Sequence, residues 1–174
     1  MANISYRLLQ SADLDAYRAI RLRCLRDYPD NFGTTYEEEQ QGKYAKLVGA
    51  IKGDDKDNFA YGAFTENNEL VGICGFVREP RTKTRHRGEV IQMFVDTAYA
   101  KQGIGKQLLQ HTINKAFENP GIDSITLSLV YGNHSAEKLY KSLGFVEYGK
   151  MENFFKSGDK YSTQLFMVLV RGNK

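Results

Sequence analysis

A mixed α/β sheet is the fold class this sequence predicts, and three observations point to it. The second half alternates extended and helical patterns as strand, helix, strand, helix, strand, the arrangement that joins parallel neighbours. The middle carries three consecutive extended segments separated by turn signals, as antiparallel strands require. The chain's 174 residues, 41% of them hydrophobic, suit a single domain over 1–174. A domain of that size buries about 70% of the surface its unfolded chain exposes.

Residues 4–9 read as a short strand. Ser11 is placed to cap a helix whose apolar face is Leu14, Tyr17, Ile20 and Cys24, at spacings of three and four. Pro29 and Gly33 end it. Thr35 and Glu38 have capping-box spacing, and Tyr44, Leu47, Val48 and Ile51 follow the pattern of a second amphipathic helix. The run Gly53-Asp54-Asp55-Lys56-Asp57-Asn58 is a polar loop. Segments 59–65 and 70–78 flank Asn67-Asn68 as a hairpin, and 80–88 is a longer turn. Residues 89–95 are mostly apolar on both faces, which predicts a central strand. A glycine turn at Gly103 and Gly105 opens a third helix with Leu109, Ile113, Ala116 and Phe117 as its stripe, stopped by Pro120-Gly121. Ile125, Leu127 and Leu129 alternate with Thr126 and Ser128 as a half-buried strand. Asn133 or Ser135 caps a fourth helix with Ala136, Leu139, Tyr140 and Leu143 on its apolar face, and Gly144 is its left-handed C-terminal cap. Segments 145–155 and 161–170 are the last strands, joined around Ser157-Gly158-Asp159.

The composition excludes a disordered tail, a collagen and a disulfide scaffold. No apolar run approaches the ~20 residues of a membrane helix. The first residues have no apolar core of a secretory signal. Cys24 and Cys74 are far apart and in different elements, as expected of two buried, reduced thiols in a cytoplasmic protein. A net charge of +3 tolerates an anionic small ligand without requiring nucleic acid. His86, His111 and His134 form no pair at metal-ligand spacing, so no metal is expected. Arg78, Arg81, Lys83, Arg85 and Arg87 crowd one turn; few aromatics interleave with them, which argues for a solvated hairpin tip over a nucleic-acid grip.

The chemistry concentrates in Val95-Asp96-Thr97-Ala98-Tyr99-Ala100-Lys101-Gln102-Gly103-Ile104-Gly105-Lys106. A strand runs into a glycine turn that opens a helix, where free amides and the helix dipole favour an anion. The Walker phosphate loop fails at Ala100 and Gln107, and the dinucleotide fingerprint fails at Leu108. A pyrophosphate cradle for coenzyme A stays open, and so does an ordinary strand-to-helix turn.

The second stretch, Asn133 to Phe145, decides between them. Asn133, Ala136, Leu139-Tyr140 and Gly144-Phe145 resemble the second signature of the GNAT superfamily of acyl-CoA-dependent N-acyltransferases, matched in full. The first signature is matched at Gly103 and Gly105, with Ala100 where the family has Arg or Gln. The resemblance implies an about seven-stranded, mainly antiparallel mixed sheet flanked by four helices, with the fourth and fifth strands splayed apart. It implies that the amides of Gln102, Gly103, Ile104, Gly105 and Lys106 hold the pyrophosphate of acetyl-CoA as co-substrate, beside the charges of Lys101 and Lys106. The edge at Met93, Phe94 and Val95 holds the pantetheine arm, with a bulge aiming an amide at the thioester carbonyl. Asn133 contacts the pantetheine and Tyr140 protonates the departing thiolate; the same tyrosine also suits the apolar stripe of its helix.

Glu89, at the start of the fourth strand, is the candidate general base. Strand alternation places it on one face with Ile91, Met93 and Val95, where desolvation would raise its pKa; a solvated strand end and proton removal by water are the alternatives. Glu37, Glu38 and Glu39 open the second helix, where they complement its dipole and could draw a cationic amine. The stretch from Arg21 to Gly33 is similar to one in many bacterial-type members and names no substrate. The implied activity is acetyl transfer to a primary amine on a small molecule or peptide. A non-catalytic acyl-CoA-binding module on the same fold is the alternative, and a homodimer through the last strands or the hairpins is an assembly the resemblance allows.

Overall fold

The computed structural model describes residues 3–43 and 45–172. Its strands are β1 (Ser5–Leu8), β2 (Phe59–Phe64), β3 (Leu70–Arg78), β4 (Arg87–Val95), β5 (Ser124–Val130), β6 (Val146–Ser157) and β7 (Lys160–Val170). They form one seven-stranded sheet in the order β1-β2-β3-β4-β5-β7-β6, which puts β4 at its centre as its apolar composition requires. Every pairing is antiparallel except β4 with β5.

Helices α1 (Leu14–Asp27), α2 (Tyr36–Gln40), α3 (Val48–Lys52), α4 (Ile104–Glu118) and α5 (His134–Ser142) cover the sheet. Tyr17, Ile20 and Ile51 pack with Phe64 and Ile73 on one face. Leu108, Leu109 and Ile113 of α4 and Tyr140 of α5 pack with Cys74, Ile125 and Leu127 on the other. Leu108 and Leu109 are wholly buried, each stabilising the fold by about 2 kcal/mol through burial alone.

Three local expectations are corrected. The second helical region divides, giving five helices where four were expected. Its Thr35–Glu38 capping box forms as read, with Glu38 N donating to Thr35 Oγ1 at 3.2 Å and Thr35 N to Glu38 Oε2 at 3.0 Å. Gly42 then turns left-handed at φ 70, which ends α2 before α3 begins. Tyr44, read as the first residue of the second helix, lies outside the described residues. At the start of the first helix, the Asp13 carboxylate accepts from the Gln10 amide at 2.8 Å and pairs with Arg7 at 2.6 Å. Ser11 is not the cap; its hydroxyl donates instead to the Lys52 carbonyl at 3.4 Å.

The third correction concerns β4. Gly75 faces Ile91 while Ile73 faces Phe94, so β4 carries one residue more than β3 across this step, the count of a β-bulge. Gln92 occupies it at φ 55, a region few non-glycine residues adopt. The extra residue reverses the alternation. Ile91 and Phe94 pack on the α1 face, whereas Met93 and Val95 pack on the α4 face. Glu89 therefore shares its face with Ile91 but not with Met93 and Val95.

Candidate active site

β4 and β5 pair at Arg87, Gly88 and Glu89 with Ser124, Ile125 and Thr126, and nowhere further along. Beyond that point they diverge, as the resemblance implied, and a cleft of about 970 Å³ opens between them. It falls at the upper end of the range that small-molecule ligands occupy.

One wall is the start of α4. Lys101 at φ 60 and Gly103 at φ 79 turn the chain into the helix. The first helical bond runs from the Gln107 amide to the Gly103 carbonyl at 3.2 Å. The amides of Ile104, Gly105 and Lys106 therefore have no partner within the helix. A side chain on Gly105 would begin 3.3 Å from Met93 Cε, so glycine there keeps the floor between α4 and β4 clear. Unpartnered amides, a dipole end and two lysines fit a pyrophosphate. Lys101, Gly103, Ile104, Gly105 and Lys106 line the cleft, as do Met93, Phe94 and Val95; Gln102 is exposed and stands apart from that lining.

The opposite wall is α5. Asn133 caps it, its Oδ1 accepting from the Ala136 amide at 3.2 Å, which leaves the side-chain NH2 for a ligand. Gly144 closes the helix at φ 90. Tyr140 lines the cleft while its ring packs edge-on to Phe145, with centroids 6.1 Å apart. The tyrosine therefore packs in the core, as its place on the apolar stripe predicts, and also borders the cleft. Burial is the main cause that pushes its hydroxyl above the ordinary tyrosine range, with Cys74 adding to it.

The rest of the cleft is lined from other parts of the chain. Glu89 reaches it half-buried, and desolvation raises its carboxyl pKa; Lys46 opposes the rise and Glu79 adds to it. Arg21 of α1, buried, pairs with Glu39 at 3.4 Å and lies over the Phe32 ring at 5.0 Å. Glu38 lines the cleft, and Glu39 is committed to Arg21. Phe155 closes against Gly33, where a Cβ would fall 2.7 Å from its ring. That contact follows from an irregular stretch of β6, where the register jumps between Met151 and Phe155 around Asn153 at φ 54. Gln164 of β7 is buried beside it, and its Oε1 has no hydrogen-bond partner among the described residues.

Sequence reading missed Gln92, Phe154, Phe155 and Gln164 as cleft residues. The available signal was a glutamine within each of two apolar strand runs, Val90-Ile91-Gln92-Met93 and Gln164-Leu165-Phe166-Met167.

Other features stay outside the cleft. Asp57 ties down the basic turn, pairing with Arg78 at 2.9 Å and with Arg85. His111 stacks on Tyr6 at 5.0 Å. Cys24 and Cys74 are free and buried, and burial pushes each thiol up to about 12. Among the described residues no cluster of potential ligands could hold a metal ion, and no helix is long and apolar enough to cross a membrane.

Residues 14–145 match the Acetyltransferase (GNAT) family. Over 75 residues the chain is 35% identical to the ribosomal protein bS18-alanine N-acetyltransferase of Escherichia coli (strain K12), covering 43% of this chain and 50% of that one. The chain spans about half the length of the curated relatives it matches. The acetyltransferase of GNAT family from Streptococcus pneumoniae superposes with a TM-score of 0.81 at 21% identity, over 97% of this chain and 100% of that one. Salmonella typhimurium yncA, solved with its cofactor acetyl-CoA, does so with a TM-score of 0.73 at 20% identity, over 97% and 94%. At such identities the superpositions speak to the fold. The splayed pair, the bulge and both motif segments lie inside the matched residues, and the chain belongs to the acetyltransferase (GNAT) family.

Proposed function

We propose that residues 1–174 are a single N-acetyltransferase domain that moves an acetyl group from acetyl-CoA to a primary amine. One observation carries the reading: a single cleft is lined by the unpartnered amides of α4, the free edge of β4, Tyr140 and Glu89. Acetyl-CoA supplies the acetyl group as a thioester. The amides of Ile104, Gly105 and Lys106 hold its pyrophosphate, with Lys101 and Lys106 adding charge. Met93, Phe94 and Val95 offer backbone to the pantetheine arm, and Asn133 offers its NH2. Glu89 accepts the proton that the acceptor's ammonium must lose. The acetyl carbon exchanges its bond to sulfur for one to the amine nitrogen, Tyr140 donates a proton to the departing sulfur, and the second proton that the nitrogen loses as the amide forms returns to Tyr140 through water. No covalent enzyme intermediate is required.

The amine enters from the end walled by Arg21, Phe32, Phe155 and Gln164. Peptide α-amines are the first acceptors to try, because the Escherichia coli relative acts on an alanine of a ribosomal protein. The edge strand β6 exposes Val146, Tyr148 and Met151, which suits a homodimer through the last strands. Free thiols and a cytosolic co-substrate suit the cytoplasm. The test is CoA release from acetyl-CoA across peptides beginning with alanine, amino acids, polyamines and aminoglycosides. Release with one class supports the enzyme. Tight CoA binding with no release across the panel supports the non-catalytic module instead.

Glu89 gives this reading a pH signature. A base works ionised, so turnover rises with pH through the raised Glu89 value. Glu89→Gln is expected to lower kcat about 100-fold at pH 8 and to erase that acid limb. The stability effect has the opposite sign. Because the folded carboxyl holds its proton more tightly than the unfolded one, near 4.5, stability from the neutral form is full below 4.5 and lost as pH rises through the folded value. Glu89→Gln should therefore melt higher than wild type at pH 8 and equally at pH 4. A pH-independent difference in Tm, together with an intact acid limb, would remove Glu89 as the base.

A further inference from the structure

The bulge in β4 is held from α1, through the core beneath it. Gln92 sits at φ 55 without glycine's freedom, and the ladder to β3 is regular on both sides of it. Something must hold the glutamine there. Tyr17 of α1 is wholly buried, and its Oη donates to Gln92 Oε1 at 2.7 Å. Burial, with Glu39 adding to it, pushes that hydroxyl up to about 12, so it remains a donor at neutral pH. One helical turn further along α1, Arg21 lines the same cleft as Gln92. The Tyr17–Gln92 bond thus joins that helix to the strand residue that departs from regular pairing.

We propose that Tyr17 is a positioning residue: its hydrogen bond to Gln92 sets the bulge so that the β4 amides beside Met93 face the thioester carbonyl of acetyl-CoA. This rests on the acetyl-CoA reading above. The carbonyl is what separates the consequences. Acetyl-CoA has it and CoA lacks it, while both share the pyrophosphate and the pantetheine arm. A bulge that relaxes loses its hold on acetyl-CoA and keeps its hold on CoA.

The experiment is titration calorimetry of acetyl-CoA and of CoA against wild type, Tyr17→Phe and Gln92→Leu, with Tm recorded for each. Both variants are expected to bind CoA within about twofold of wild type and acetyl-CoA about tenfold more weakly. In Tyr17→Phe the carbonyl stretch of bound, carbonyl-13C acetyl-CoA should move toward that of the free thioester. Gln92→Glu keeps an oxygen acceptor for Tyr17 and should keep the wild-type ratio of affinities. A lowered Tm with an unchanged ratio in Tyr17→Phe means packing alone and overturns the proposal. If wild type binds neither ligand, the acetyl-CoA reading falls, and this inference with it.

Discussion

Gly103→Glu is expected to weaken CoA binding by about 100-fold or more, with Tm little changed. Three causes act together. The new carboxylate stands at the N-terminal end of α4, where the helix dipole and the open amides of Ile104, Gly105 and Lys106 otherwise favour an anion. Two like charges about 5 Å apart at an effective dielectric near 20 repel by about 3 kcal/mol, which by itself is about a hundredfold. Glutamate is also a poor occupant of φ 79, so the loop that presents the amides is disturbed. Space is not the obstacle, since nothing lies within 4 Å of a Cβ built there. Gly103→Asn separates charge from conformation. Asparagine tolerates the left-handed region and carries no charge, so its CoA affinity should stay within several-fold of wild type. Calorimetry with CoA reads both without knowledge of the acceptor. Wild-type affinity in Gly103→Glu would mean that the pyrophosphate lies elsewhere.

Tyr140→Phe is expected to lower turnover about 100-fold while leaving the affinity for acetyl-CoA within about threefold. The ring stays packed on Phe145 and only the hydroxyl is lost, so Tm should hold at neutral pH. The pH dependence gives a second reading. Burial holds the hydroxyl above its ordinary range, so wild type should show no loss of turnover from this group even at pH 10. The same shift gives wild type a stability contribution that is full below the unfolded tyrosine pKa, about 10, and fades as pH rises through the folded value. Tyr140→Phe has no such contribution to lose. Its Tm should therefore fall less than that of wild type between pH 9 and pH 11. Wild-type kcat in the variant would reduce Tyr140 to a core residue.

Much of this could be read before any coordinates. Apolar patterning and turn signals together located each of the seven strands to within two residues, most directly where Ile125, Leu127 and Leu129 alternate with polar neighbours. The cleft walls formed by the start of α4 and by α5 were legible because they rest on local backbone features. Gly103 and the Asn133 cap are demanded by local conformation, and local conformation is written in adjacent residues. The rest of the lining was not. Phe155 meets Gly33 across more than a hundred residues, and no spacing rule connects them. The β4 bulge was expected from the resemblance, but its effect on alternation was not carried through. Counting by twos from Glu89 therefore put Met93 and Val95 on the wrong face. The division of α2 from α3 turned on Gly42, a single left-handed residue inside a stretch whose apolar spacing still looked helical.

The contact between Phe155 and Gly33 has a consequence for how such a protein can change its task. Much of the cleft's lining is drawn from one continuous run, from β4 through α5. The rest of the lining comes from either side of that run: Arg21 and Phe32 ahead of it, Phe154, Phe155 and Gln164 after the family match at residue 145 has ended. On the proposed function, mutational drift in the outer segments would reshape the receiving chamber without touching the parts that deliver the acetyl group. Gly33 and Phe155 are where those segments constrain each other, so a new side chain at one calls for a smaller one at the other. On the proposed function, acceptor preference would in that sense be a paired character, inherited through two distant positions together.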